Sequence, residues 1–581
     1  MKHIILYFLI LLNFSAFAQQ TVPEGRSILK AERLQFLKNN NKEGNVSVAE
    51  DADTLEVLFE TIEQPKFIYN LASRLPLETE NFKAGRVFLV SFDALTEKSS
   101  EETGEAKLLI QLKQSDSYKD NLEHSINISS HWQRYYLPFE STRNISKDDL
   151  AVVLQYGFSP QSFRLKNINV EVFDPGTALS ALPKTAITYA GMEADAAWRK
   201  AANDRIERIR KGHFQLKFTK DGKPVPATDV EISLVRHAFP FGAMLHADSV
   251  LNNPQLYDRF KDAFSLTVLG NDLKIKRWAR KSSRKNTLNT LTLLNQDGIT
   301  VKGHVLMWPG FQYNTDEVKA NKNNPEAVKK IVREHMYSIL DATKVKISHW
   351  DVVNETYTNK DFQNLMGGED FLYEAFEIVK ERAPEVRRFT NEYGIISKGG
   401  IDEQKQKWYY EYIRRVDAHV PGAVQGVGIQ SHMGSDLTPP EKVLSILSYY
   451  ATLGKPISIS EFTMDVQEPE IREQYTRDFM RAAFSHPNVS EFMFWGFEED
   501  DNRKVDIYKQ DGSVGAMGKA YFSLIREEWH TELKAKTNAE GLLDGRGFYG
   551  LYFFKLKHNG KELIGTFKNL PGMPKELEIQ L

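Results

Sequence analysis

Two rhythms of apolar and polar positions divide the chain. From residue 23 to about 175 the apolar residues come in short runs, at 86–92, 106–112, 135–139, 151–156 and 168–172, separated by polar stretches. These runs are rich in β-branched and aromatic residues and keep no helical period, which predicts the strands of a β-sandwich. Trp132, the only tryptophan of this region, reads as a core residue in preference to a sugar platform. Asp174, Pro175 and Gly176 end the pattern. Residues 192–211 then read as a helix, and Asp221–Gly222 is a hairpin signal between strands at 213–218 and 230–235. The stretch 190–238 is therefore expected to be a helix-plus-hairpin connector packed on the domain that follows.

From Phe239 the period changes. Short apolar segments alternate eight times with amphipathic ones, and strands are expected to begin near Phe239, Ala263, Ile299, Ile347, Arg387, Val424, Pro456 and Glu491. Between them, Val328, Ile331, Val332, His335, Met336 and Ile339 fall at helical spacing behind Asn324 and Pro325, a cap residue followed by proline in the first turn. A second helical stripe is Phe371, Leu372, Ala375, Phe376 and Val379. Eight strand–helix units over 239–530 predict a parallel (β/α)8 barrel. The fold expected is thus α/β: an all-β sandwich at 23–175, the connector, the barrel, and a small β appendage at 540–581.

The first residues have the layout of a secretory signal. Met1, Lys2 and His3 precede an apolar run from Ile4 to Leu12, and the small residues Ala16 and Ala18 mark a cut after Ala18. The run is short of the ~20 residues that span a bilayer, so the mature chain, without 1–18, is expected to be secreted or periplasmic with no membrane span. Cysteine is absent, which removes disulfides, thiolate metal sites and a lipidated N-terminal cysteine. Lys plus Arg is 75 and Asp plus Glu is 78, for a net charge of −3, a balance that argues against nucleic acid as a partner. With 41% hydrophobic and 26% charged residues, disorder of the whole chain is excluded.

Catalytic groups of such barrels sit where strands end. The expected strand ends carry His304 and Trp308, then Asn354 and Glu355, then Asn391–Glu392–Tyr393, then Gln430 and His432, then Glu461, and finally Trp495. Indoles stack on the apolar face of a pyranose, while amides and imidazoles bond its hydroxyls. Glu355 and Glu461 are the natural pair for glycoside hydrolysis, one carboxyl group protonating the leaving oxygen and the other attacking or activating water. Asn354 is placed to hold a substrate hydroxyl or orient the attacking carboxylate, and Gln430 and His432, two apart, share one strand face. A single glutamate at a strand end is as readily a salt bridge; it is the collection that points to sugar chemistry. No compact metal-ligand spacing such as His–Glu–x–x–His is present.

At these residues the chain resembles glycoside hydrolase family 10, the endo-β-1,4-xylanase family. Residues 350–355 (Trp-Asp-Val-Val-Asn-Glu) are similar to its acid/base strand, and 459–461 (Ile-Ser-Glu) to its nucleophile strand. Residues 303–308, 426–432, 495–496, 271–274 and 239–242 match further segments of the family, and the likeness runs from about 190 to 581. The sandwich resembles, loosely, the carbohydrate-binding modules attached to polysaccharide hydrolases. The family resemblance implies Glu355 as general acid/base and Glu461 as nucleophile. It implies that Asn354, Lys274, His304, Trp308, Gln430, His432 and Trp495 grip the sugar at the cleavage point and that Asn271 serves the next one. It also implies retention of configuration, a xylan-like polysaccharide as partner, no cofactor and no catalytic metal.

Several positions depart from the family's pattern. Gly270 stands where a glutamate is usual before Asn271, Ile275 where a tryptophan often follows Lys274, Pro309 where a histidine follows Trp308, and Thr463 where an aspartate follows the nucleophile; a second tryptophan is missing from 498–503. These changes lie around the neighbouring sugar and leave the polymer open. The basic run 274–285 is either a solvated helix face or an attractor of an acidic glycan. Two further readings stand beside the xylanase: a non-catalytic sugar-binding barrel, and a retaining glycosidase for another β-glycan. Endo or exo preference and oligomeric state are not legible.

Overall fold

The computed structural model describes residues 23–581 except 38, 52–53, 102–103, 115–121, 467, 500–503, 559 and 575. The expected leader at 1–18 and part of the 498–503 segment lie outside the described residues. The chain forms two compact units, one of residues up to 100 with 106–186, the other of 101–105 with 187–581.

The first unit is a pair of antiparallel sheets. One orders Asn39–Asn41, Gly44–Asp51, Thr54–Thr61, Gln161–Val172, Val87–Ser99 and Gln133–Glu140, with Arg26–Ser27 paired to Gln161–Val172; the other orders Ala72–Pro76, Ala151–Gln155, Ala106–Lys113 and Leu122–Ile128. Alternate residues of each strand point inward, so Val57, Phe59, Phe88, Val90, Phe92, Phe163 and Leu165 meet Leu108, Ile110, Leu112, Val152 and Leu154 in one core. Trp132 is not in that core. It is 37% exposed, with the Lys166 ammonium 4.0 Å from its ring centroid, because it precedes the strand at a loop and not on its inward face.

The second unit joins a small β structure to a barrel. The Asp221–Gly222 turn does form, with positive φ at both residues, yet it pairs only Thr219 and Lys220 with Pro224 and Lys223. The expected long hairpin does not follow. Pro224 and Pro226 cannot donate to a ladder, and the chain crosses to another sheet. Lys211–Lys220 then pairs with Leu542–Phe548 and Glu576–Gln580, while Asp229–His237 pairs with Glu532–Lys536 and Gly550–His558. The tail and the segment before the barrel thus share two sheets.

The barrel has eight parallel strands: β1 Phe241–Met244, β2 Leu266–Val268, β3 Thr300–Met307, β4 His349–Asn354, β5 Arg387–Glu392, β6 Gly426–Ile429, β7 Ile457–Met464 and β8 Val489–Phe494. Each pairs with its neighbour, and β1–β8 and β6–β7 pairings close the ring. Every strand begins within three residues of its expected position, the widest miss being 266 against 263. The helix Pro325–Thr343 is capped by the Asn324 side chain and buries Val328, Val332, His335, Met336 and Ile339. Helix Asp370–Arg382 buries the whole second stripe. Of the basic run, Arg277 faces Asp272 at 3.7 Å and Asp248 at 3.8 Å, and Arg284 lies over Trp278.

Candidate active site

The carboxyl ends of the strands gather the predicted residues at one mouth. β4 delivers Asn354, and Glu355 follows with φ of 55°, the left-handed region that costs a non-glycine residue about 1 kcal/mol or more. The turn is held because the Glu355 N–H donates to the Asn391 carbonyl at 2.9 Å and the Asn359 N–H donates back to the Glu355 carbonyl at 3.1 Å. Strain at this point aims the carboxylate across the barrel. One oxygen accepts from Gln430 Nε2 at 3.0 Å, the other from Trp308 Nε1 at 3.1 Å and Asn359 Nδ2 at 3.2 Å.

Glu461, on β7, is 3% exposed. Asn391 Nδ2 donates to its Oε1 at 2.6 Å, His304 Nδ1 lies 3.9 Å from the same oxygen, and His432 Nε2 lies 3.5 Å from Oε2. Burial by itself pushes this carboxyl group upward, but His304 and His432 outweigh it, and the group is held below the ordinary carboxylate range. The two glutamates are linked by one amide ring. Asn391 also donates to Asn354 Oδ1 at 3.1 Å, and Gln430 Nε2 reaches that same oxygen at 3.3 Å. With its nitrogen committed to Glu355, Gln430 offers Oε1 to His432 Nε2 at 3.1 Å, which calls for a proton on that ring nitrogen, and the other, Nδ1, meets Thr463 Oγ1 at 2.9 Å. A hydroxyl thus serves where the family pattern has a carboxylate.

The remaining predicted residues line one side of the mouth. Lys274 Nζ donates to Asn271 Oδ1 at 2.9 Å and stands 4.7 Å from the Trp308 ring and 5.9 Å from Trp495. Trp495 meets His304 edge to face at 5.1 Å. Trp308 lies flat on Tyr313, centroids 3.5 Å apart, so its ring has a braced face and its N–H edge is turned to Glu355. At Gly270, a Cβ would fall 2.9 Å from His246 Cε1 and 3.0 Å from Met244 Sδ. The exposed His246 fills the space that a side chain at 270 would take. Glu392, the third strand-end carboxylate, is occupied elsewhere: Lys405 Nζ is 3.0 Å away and the Tyr357 N–H donates to it.

Asn391, Asn359, Tyr313 and His246 were not assigned roles from the sequence. Asn391 had a signal, its place at the end of β5. Asn359 and His246 sit in loops and Tyr313 ends a single 3-10 turn, where no period marks a direction.

A (β/α)8 barrel whose mouth pairs two buried glutamates among indoles, amides and imidazoles has the layout of a glycoside hydrolase. Residues 232–511 match the model of glycosyl hydrolase family 10. Among curated relatives, it is 28% identical over 400 residues to anti-sigma-I factor RsgI6 of Acetivibrio thermocellus, covering 67% of this chain and 50% of that protein. It is 28% identical over 378 residues to endo-1,4-beta-xylanase 1 of Arabidopsis thaliana, covering 62% and 38%. Against the first four such relatives the chain spans 36% to 54% of their length. Among solved structures, xylanase 10B of Thermotoga petrophila in complex with xylobiose aligns with a TM-score of 0.45 at 17% identity, covering 50% of this chain and 95% of that one.

Proposed function

We propose that the protein is an exported retaining glycoside hydrolase that cleaves internal β-1,4 linkages of xylan or a closely related β-glycan. The observation that carries the reading is the asymmetry of the glutamate pair. Glu461 is buried against His304, His432 and the Asn391 amide, which favour its ionised form, as a nucleophile requires. Glu355 accepts from the side-chain N–H groups of Gln430, Trp308 and Asn359, which fix its carboxyl group in place, and its position in the 350–355 segment, similar to the family's acid/base strand, supports it as the group that protonates the leaving oxygen. In this reading Glu461 attacks the anomeric carbon while Glu355 protonates the departing sugar. Glu355, now a carboxylate, then takes a proton from the water that releases the glycosyl–enzyme, and configuration is retained. Asn354, Lys274, His304, Trp308, Gln430, His432 and Trp495 hold the sugar at the cleavage point, with Asn271 beside them.

Xylan is supported by the names of the Arabidopsis relatives. One observation favours a related polymer: His246 in the space beside Gly270 alters the wall next to Asn271. Reducing-sugar release from purified xylan, mixed-linkage glucan, mannan and a uronic-acid-bearing glycan tests both readings, and NMR of the first-formed anomer tests retention. An inverted first product rules out the mechanism, and release from none of these polymers rules out the activity.

A further inference from the structure

Below the catalytic layer, the floor of the barrel holds charges that hydrolysis as described does not use. Barrel interiors are ordinarily filled by branched apolar side chains. Here Lys302 on β3, Asp351 and His349 on β4, and Glu491 on β8 all point inward, and Lys302 is only 1% exposed. Lys302 Nζ stands 3.1 Å from Asp351 Oδ1 and 3.8 Å from Glu491 Oε1. The more distant carboxylate has its own partners, since Ser458 Oγ donates to it at 2.6 Å and His349 Nε2 lies 3.0 Å away. Asp351 has fewer: its other oxygen is 3.0 Å from His304 Nδ1. A buried ion cluster is seldom more stable than an apolar replacement of the same volume, so stability alone does not account for it. What it does adjoin is the nucleophile. His304 Nδ1 lies 3.9 Å from Glu461 Oε1.

We propose that Lys302 is a positioning residue for the hydrolysis proposed above: by holding Asp351, it fixes the orientation and charge of the Asp351–His304 pair that faces Glu461. The inference rests on the reading of Glu461 as nucleophile. Lysine neutralises Asp351, and Asp351 keeps His304 turned with Nδ1 toward it. Asp351 is itself a negative neighbour that works against an ionised Glu461, so its compensation by Lys302 matters to the nucleophile. Remove the ammonium and two outcomes are open. Either Asp351 stays charged and its field acts on Glu461 uncompensated, or it takes up a proton and donates to His304, which then loses the proton on Nδ1. Both raise the cost of an ionised Glu461. The other groups facing Glu461 are His432 from beyond β6 and Asn391 on β5, and neither touches Lys302.

The test is the pH profile of kcat/KM for the full chain and the variants Lys302→Met, Glu491→Gln and Lys302→Met/Glu491→Gln. The double variant removes one charge of each sign and so keeps a folded comparison if Lys302→Met does not fold. In both variants lacking Lys302, the acid limb is expected to move up by about one pH unit, a loss of about tenfold on the acid side, with the plateau far less affected. Glu491→Gln leaves the Lys302–Asp351 contact and should leave the limb in place. Side-chain 15N NMR of His304 gives a readout free of turnover, and its resonance should change in both variants lacking Lys302 and not in Glu491→Gln. Lower thermal stability with an unmoved acid limb and an unmoved His304 resonance would overturn the proposal. A wild-type chain inactive on every glycan would sink the proposed function, while the NMR comparison would still decide whether Lys302 sets the state of His304.

Discussion

Replacing Asn391 by alanine probes the amide ring that joins the two glutamates. In the folded protein its Nδ2 donates to Glu461 at 2.6 Å and to Asn354 at 3.1 Å, and its Oδ1 accepts from Ser460 at 2.7 Å. The first of these bonds has a charged acceptor in a buried site, where such a bond contributes about 1.5–3 kcal/mol. At about 1.4 kcal/mol per tenfold in rate, its loss should lower kcat/KM by about 10- to 150-fold if it is made to the attacking carboxylate. The sign with pH follows from the same bond. Glu461 is held below the ordinary carboxylate range, and Asn391 donates to its ionised form, so without Asn391 the group binds a proton at higher pH and activity fails earlier as pH falls. Initial rates on a soluble β-glycan from pH 4 to 9, with circular dichroism to establish folding, make the measurement. A folded Asn391→Ala variant within twofold of wild type across that range would refute the reasoning.

Glu461→Ala should abolish turnover of every glycoside, whereas Glu355→Ala should spare an activated aryl β-glycoside and, with added azide, yield a β-glycosyl azide; rescue of Glu461→Ala by azide, seen as an α-glycosyl azide, would exchange the two roles. Asp506 accepts from Arg472 at 2.8 Å and caps helix Ala516–Ser523 through the N–H groups of Ala516 and Met517, so Asp506→Ala, which strands a buried guanidinium, should cost about 3–5 kcal/mol by denaturant titration. Val345 is 83% exposed and held at φ of 59°, a region closed to β-branched residues but tolerated by asparagine, so Val345→Asn should stabilise the chain by about 1 kcal/mol in the same titration.

How much of this was legible follows from what a period can carry. Parallel strands buried on both faces read as short apolar runs, and all eight strands of the barrel announced themselves that way. Among the sandwich strands that went unread, which include Thr54–Thr61 and Ala72–Pro76, Gly44–Asp51 and Leu122–Ile128 were hidden because polar residues alternate with their few apolar ones, as in Asn45-Val46-Ser47-Val48 and Glu123, His124, Ser125, Asn127. Leu122–Ile128 is an edge strand and Gly44–Asp51 lies one strand from the edge, where one face meets water. The turn at Asp221–Gly222 was legible as a turn, but the pairing beyond it depended on two prolines and on tail strands far along the chain.

The site divides along a similar line. A glutamate, indole or imidazole at a strand end is visible one strand at a time, because the strand's direction sets where its last side chain sits. The groups that tune those side chains are not visible in that way. Lys302 sits two residues before His304, and Glu491 is the one charged residue of the strand that runs on through Phe492, Met493 and Phe494; alternation places both inward but cannot say what they face. β3 and β4 are neighbours in the sheet, but only closure of the ring brings the Glu491 side chain of β8 within 4 Å of Lys302 and His349. A charge inside an apolar run is therefore informative in the sequence alone: solvation is lost there, so a partner must exist across the barrel, and the unknown is only which strand supplies it.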